Sequence, residues 1–249
     1  MSRNSKDLFF LLMSLLLLVI VLMGFGPTFF FRNMYDPNDG HGPAGLPMLL
    51  IAHGLIMTAW LLLLVIQTGL VQSNNVKWHM HIGWFGLALA VLVIPTGIMV
   101  MVGFGPRLLA LGVPPAVLRE GLSLMFWIDV FSLILFPSLI GAALYYRKNP
   151  DWHKRFMLYA AFTLLVPGLG RLTAQIARTD SFGGINWPLN WILFLLILAS
   201  VPLYDILKTK RIHNATIIGF IAVFMGMLLS IFISSTDFGK DLASAHFLE

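Results

Sequence analysis

Long runs of apolar residues, separated by short polar connections, make up most of the chain. Each run approaches the length of about 20 residues that a helix needs to cross the hydrocarbon core of a bilayer. Because a chain in lipid must satisfy its own backbone hydrogen bonds, these runs predict helices. The predicted transmembrane segments are, in order, about 8–31, 47–71, 82–104, 122–146, 156–177, 187–207 and 213–235. The pattern therefore predicts an all-α, polytopic membrane protein, with a bundle of seven transmembrane helices forming one domain over residues 1–249.

The distribution of lysine and arginine predicts the orientation of this bundle. Cytoplasmic loops of membrane proteins carry an excess of these residues. With the N-terminus in the cytoplasm, ten fall on that side and five on the other. The ten are Arg3, Lys6, Lys77, Arg147, Lys148, Lys154, Arg155, Lys208, Lys210 and Arg211, and the five are Arg32, Arg107, Arg119, Arg178 and Lys240. We therefore expect an N-in, C-out, multi-pass protein of the cell inner membrane.

The two ends of the chain carry further expectations. The basic start, Ser-Arg-Asn-Ser-Lys, precedes the first apolar segment without a following Ala-x-Ala cleavage site, which predicts a retained signal-anchor helix. The last residues, 236–249, are more polar than the segments before them, and we expect them to be loosely ordered.

Composition agrees with a membrane protein and narrows its chemistry. The chain is 58% hydrophobic and 11% charged, with a mean hydropathy of +0.86 and a net charge of +5. The basic residues fall at segment ends, so the charge points to the lipid bilayer as partner and not to nucleic acid. The absence of cysteine excludes thiolate metal sites and disulfides. The seventh segment has no lysine for a retinal Schiff base, and no zinc-protease or phosphate-loop motif occurs. Whether the chain is an enzyme stays open.

Three polar residues are expected at similar depths in the outer half of the membrane. They are His53 in the second segment, Asp129 in the fourth and Arg171 in the fifth. Charged residues inside a bilayer are costly unless they are paired. An ion pair between Asp129 and Arg171 would offset much of that cost, with His53 as a neighbour that binds the pair or a ligand. The alternatives are a structural ion pair and a ligand, proton-relay or cofactor site.

A second polar layer is expected at the cytoplasmic end. Four of the seven histidines lie there with a carboxylate, namely His79, His81, His153, His213 and Asp205. Imidazoles with a carboxylate suit a divalent metal, and two facing imidazoles suit b-type haem. The alternative is an aromatic and basic interface with lipid headgroups. His79 and His81 are two residues apart and cannot both face inward on a helix; depth alone favours His81.

At these residues the chain resembles an uncharacterised family of bacterial multi-pass membrane proteins. The likeness rests on His79-Met80-His81-Ile82-Gly83-Trp84, His53-Gly54, Gln67, His153-Lys154-Arg155-Phe156-Met157 and Arg171. Members carry a His-Arg-x-x-Gly motif and a His-Lys/Arg-x-x-Met motif at helix starts. The first is matched by His79 and Gly83, with Met80 in place of arginine, and this register favours His79. More remotely, the chain is similar to b-type membrane cytochromes, in which facing histidines hold haem. The resemblance implies an intramembrane site without a settled activity.

Two functions are consistent with these patterns. The first is a redox protein that passes electrons through the membrane, with quinone or subunits of a membrane complex as partners. Its haem or metal would be held by His53 on the outer side, or by His79 or His81 with His153 on the inner side. The alternative is a non-enzymatic transporter or channel gated by Asp129, Arg171 and His53, or an accessory subunit of a larger complex. A haem absorption band separates the two classes.

Overall fold

The structure, a computed structural model, describes residues 8–34, 46–177 and 186–248. Within these ranges all regular structure is helical, which confirms the all-α prediction. The helices are α1 (Phe9–Phe25), α2 (Met48–Gln72), α3 (Val76–Ala110), α4 (Pro115–Tyr145), α5 (Pro150–Thr163), α6 (Val166–Ala177), α7 (Trp187–Thr209), α8 (Asn214–Ser235) and α9 (Asp237–Leu248). A π-helical turn (Gly26–Phe30) and a 3-10 turn (Arg32–Met34) follow α1. The basic start of the chain lies outside the described ranges.

The long helices are those of a polytopic membrane protein. Six helical stretches in the described ranges are long and apolar enough to cross a membrane. They are Phe9–Phe30, Met48–Gln72, Val76–Ala110, Gly121–Tyr145, Trp187–Thr209 and Asn214–Ser235. The pair α5 and α6 meets the same criteria together but is bent by 54°. The described chain therefore has six candidate spans, or seven if the bent pair is one span.

The break between α5 and α6 falls inside the predicted fifth segment. Leu164 and Leu165 form a turn just before Pro167, whose ring has no N–H to continue the helix. The carbonyl of Thr163, freed by the break, accepts a hydrogen bond of 2.8 Å from the hydroxyl of Ser132 on α4. A neighbouring helix thus satisfies the broken backbone, as membrane helices with internal proline require.

Two helices extend beyond the apolar segments that predicted them. Helix α3 begins at Val76 and not near Ile82, so the histidines before the third segment lie in its first turns. The C-terminal residues form α9, and the expectation of loose order there is wrong. Arg119 of α4 makes an ion pair of 2.7 Å with Asp241, and the indole of Trp127 donates a 3.1 Å hydrogen bond to the carbonyl of Gly239. These contacts order a segment whose own sequence is weakly apolar.

Glycines let the helix backbones approach closely at selected crossings. A Cβ atom at Gly24 of α1 would clash with the main-chain oxygen of Gly168 on α6. One at Gly219 of α8 would strike the ring of Tyr159 on α5, a side chain with no exposed surface. Small residues of this kind bring membrane helices together, because close packing replaces the hydrophobic driving force that lipid does not supply.

The α1–α6 crossing can be tested with a matched pair of glycine substitutions. We expect Gly24→Ala to lower the free energy of unfolding by about 1–3 kcal/mol, because the added methyl group must push two backbones apart. Gly141→Ala, on α4, should leave stability unchanged or slightly higher, because nothing lies within 4 Å of a Cβ there. Unfolding in detergent micelles measures both variants. Equal stabilities would contradict the close crossing.

Candidate functional site

Two histidines from different helices lie next to each other at one end of the bundle. His79 lies in the first turns of α3 and His153 in the first turn of α5. Their ring centroids are 6.2 Å apart and the ring planes are nearly perpendicular, at 87°. Both residues are half-buried. Of the four histidines predicted at this end, these two are the ones brought together.

A hydrogen bond fixes the ring of His153. Its Nδ1 lies 2.8 Å from the carbonyl oxygen of Ala143 on α4, and since a carbonyl only accepts, Nδ1 carries the proton. The other nitrogen, Nε2, is then an acceptor or a metal ligand. Histidines that bind metals commonly donate their second ring N–H to such a carbonyl. The position of His153 follows from the local sequence, since Asn149 caps α5 at the amide of Asp151 and Pro150 begins the helix.

Unpartnered polar groups surround the His79 ring. The ring of His79 donates a hydrogen bond to the main-chain carbonyl of Gln67 on α2, while its Nδ1 has no partner among the described residues. The amide nitrogen and oxygen of the Gln67 side chain are also buried and unpartnered there. A Cβ at Gly83 would lie 3.8 Å from this amide nitrogen, so Gln67 lies against the face of α3 one turn beyond His79. Each buried polar group without a partner costs about 1–3 kcal/mol. Such groups commonly mark a ligand site or an internal water site.

His81 points away from this site. Its side chain is exposed, and its Nδ1 lies 2.8 Å from the carbonyl oxygen of Lys77, one turn earlier in the same helix. The depth argument that favoured His81 is therefore wrong, because α3 begins earlier than the apolar segment suggested. The helix turns His79 inward and His81 outward.

The predicted metal ligand Asp205 belongs to a separate buried network. Its carboxylate pairs with Arg155 of α5 and accepts a hydrogen bond from the hydroxyl of Thr216 on α8. It also accepts the backbone N–H of His213 at 3.0 Å. Asp205 and Thr216 have no exposed surface and Arg155 is 2% exposed. These donors occupy the carboxylate, so it is not available as a ligand beside the histidine pair.

His213 caps a helix. Its Nδ1 accepts the backbone N–H of Ala215 at 3.1 Å, at the start of α8, and its ring contacts Trp152 edge-on at 5.4 Å. Burial lowers the pKa of His213, and the nearby charge of Arg155 lowers it further. The ring is then neutral at pH 7, as an acceptor requires. Within the described part of the chain no group of three or more His, Asp or Glu could hold a metal. A metal cluster of His79, His81, His153, Asp205 and His213 is therefore not supported.

The outer polar residues are near one another but make separate contacts. Arg171 donates a hydrogen bond of 3.0 Å to the carbonyl of Pro167, and its guanidinium carbon lies 4.3 Å from the ring centroid of Phe25. Its charge and that of Asp129 act on each other, yet no ion pair within 4.0 Å joins these two described residues. The predicted direct pair is not formed.

His53 also takes a different partner from the one expected. Its Nδ1 lies 3.1 Å from the hydroxyl oxygen of Thr96 on α3. That hydroxyl donates to the carbonyl of Leu92 at 2.7 Å, so Nδ1 of His53 is the donor to Thr96. The contact ties α2 to α3 and leaves Nε2 of His53 without a proton.

No known protein family, characterised protein or solved structure matches this chain. The resemblance to bacterial multi-pass membrane proteins therefore stays a prediction from the residues. Sequence reasoning treated Arg155 only as an interfacial cation, although it is the buried partner of Asp205. A carboxylate within an apolar segment demands a cation, and that rule could have identified the pair.

The different surroundings of the two intramembrane aspartates lead to a prediction. We expect Asp205→Ala to lower the free energy of unfolding by about 3–5 kcal/mol, because it removes the buried carboxylate partner of Arg155 and leaves it, among the described residues, only the 3.4 Å ion-pair contact with the exposed carboxylate of Asp151. Asp129→Ala should cost clearly less, because Arg171 keeps its carbonyl and aromatic contacts. Denaturation of both variants in mixed micelles gives the comparison. An equal loss in Asp129→Ala would mean that Asp129 and Arg171 pair directly after all.

Proposed function

We propose that the chain is a seven-span inner-membrane protein that binds b-type haem between His79 and His153 and carries electrons. Counting α5 and α6 as one broken span gives the seven crossings. An N-in, C-out orientation then follows from the excess of basic residues at the end that carries the histidine pair. Three of the basic residues counted for this orientation, Arg3, Lys6 and Arg178, lie outside the described residues.

The adjacent imidazoles of His79 and His153 are the observation that carries this proposal. An imidazole nitrogen binds a first-row metal at about 2.0–2.1 Å. Two such bonds on opposite sides of one ion account for most of a 6.2 Å separation between ring centroids. Histidine is a common axial ligand of haem iron. Helix α3 packs mainly on α2 and α4, and α5 on α4 and α8, so the two rings meet between helices with little direct packing.

The charge of the donor set favours haem over a bare divalent ion. The donors at the site are two imidazoles, the Gln67 amide and main-chain carbonyls, none of which is a carboxylate. The Asp205 carboxylate is engaged by Arg155. A divalent ion held by neutral ligands alone would keep its full charge in a medium of low dielectric constant, which is costly. A porphyrin dianion supplies the compensating charge itself.

Each residue of the site has a defined role in this proposal. The Ala143 carbonyl holds His153 in the tautomer whose Nε2 is free, and α3 presents His79 from the opposite side. Gln67 supplies an amide that can donate to or accept from the edge of a bound group, and Gly83 keeps the adjacent face of α3 small. The haem would supply reversible one-electron transfer. Quinone in the bilayer or a subunit of a membrane complex is the proposed exchange partner.

The absorption spectrum tests this proposal. We expect the purified protein to show a Soret band that shifts on reduction with dithionite, with about one iron per chain. His79→Ala and His153→Ala should each abolish the band, because each removes an axial ligand. His81→Ala is the matched control and should retain it, since His81 is exposed on the same helix. Retention of the band in both ligand variants would overturn the assignment.

A second candidate, a transporter or channel, is favoured by one observation. Asp129 and Arg171 are ionisable residues within membrane helices that do not form a direct pair, and such residues often mark a transport pathway. An accessory subunit of a membrane complex is the remaining alternative. A featureless visible spectrum with no stoichiometric metal would exclude the redox proposal. The transporter, channel and accessory-subunit alternatives would then remain.

A further inference from the structure

A cleft lies between α2 and α3 at the end of the bundle remote from the histidine pair. Its volume is about 150 Å³. The lining is almost wholly apolar and includes Leu49, Leu50, Met99, Val100 and Phe104, with Arg107 as its charged member. The side chain of Met99 is 54% exposed, so the cleft faces outward from the bundle. A hydrocarbon chain would match this lining.

The position of Arg107 along α3 corresponds to the level of lipid headgroups. At about 1.5 Å per residue, Arg107 lies about 45 Å from the first residue of α3, Val76. A bilayer with its headgroup regions is about 40–45 Å thick. With Val76 at one surface, Arg107 reaches the opposite headgroup region. Gly103 and Met99 lie about one and two turns deeper, toward the hydrocarbon.

The carbonyl groups at the end of α3 do not need the guanidinium of Arg107 as a hydrogen-bond donor. The last carbonyls of α3 accept the backbone N–H groups of Leu111, Gly112 and Val113. In the described part of the chain, no carboxylate pairs with Arg107. The charge that acts on it there is that of Arg32, which follows α1 and has the same sign. A cation above an apolar cleft favours an anion with a hydrocarbon tail.

We propose that this cleft binds an anionic phospholipid of the surrounding leaflet. One acyl chain lies along Leu50, Met99 and Val100, and the phosphate contacts Arg107. Anionic lipid is attracted to basic residues at the membrane surface by about 1 kcal/mol per residue. An interfacial arginine alone could contact the headgroups of any lipid surface and would not define a binding site. The adjoining cleft adds a place for the acyl chain, and so a defined site.

Lipid titration of the delipidated full chain tests this site. Native mass spectrometry would compare phosphatidylglycerol with phosphatidylcholine of the same acyl chains. We expect preferential binding of phosphatidylglycerol, and Arg107→Gln should weaken it about fivefold, the equivalent of one lost charge contact. Binding of phosphatidylcholine should be nearly unchanged in that variant. Arg147→Gln is the matched control, because it removes an exposed arginine at the other end of the bundle.

A cleft-filling variant separates a lipid site from an anion site. No atom lies within 4 Å of a Cβ at Gly103, so Gly103→Leu can occupy the cleft without a main-chain clash. We expect it to weaken the binding of both lipids. Inorganic phosphate alone should not displace bound phosphatidylglycerol. Displacement by phosphate, equal affinity for the two lipids, or full binding in Arg107→Gln would each overturn the proposal. None of these readouts depends on haem.

Discussion

The buried carboxylate of Asp205 constrains the end of the bundle that carries the histidine pair. A charge with no exposed surface must be paired, and Arg155 reaches it from α5 while Thr216 reaches it from α8. Successive residues of a helix are rotated by about 100°, so His153, two residues before Arg155, points to the opposite side of α5. Pairing Arg155 with α7 therefore turns His153 toward α3 and α4. One orientation of α5 about its own axis therefore produces both the ion pair of Arg155 with Asp205 and the contact of His153 with His79.

Much of the fold could be predicted from the apolar runs, because a backbone in lipid must satisfy its own hydrogen bonds. Five runs became single α-helices, the first run became an α-helix that ends in a π-helical turn, and the run that contains Pro167 was divided by a bend. The features missed depend on contacts between distant residues. Nothing local in the sequence shows that Ser132 satisfies the carbonyl of Thr163, or that Trp127 and Arg119 hold α9 against α4. A weakly apolar segment becomes ordered because another helix supplies its partners.

The candidate site was predicted in part. Residue type and position along the chain located His79 and His153, but they grouped Asp205 and His213 with them because all lie near one membrane face. Depth is only one coordinate of a residue on a helix, and the direction of its side chain is the other. The same omission explains Asp129 and Arg171, which share a depth without making a direct pair. The direction of a side chain could be inferred from the sequence only where a buried charge required a partner of opposite sign.

The two ends of the molecule differ in which polar groups remain available. At the histidine end, Arg155 and Asp205 satisfy each other, so the groups left without partners are neutral amide and imidazole atoms. At the other end, Arg171 and Arg107 have no carboxylate within ion-pair distance among the described residues. In a medium of low dielectric constant, a neutral site selects a ligand that carries its own compensating charge. A charged site selects an ion of opposite sign. The same constraint therefore favours haem at one end and an anionic lipid at the other.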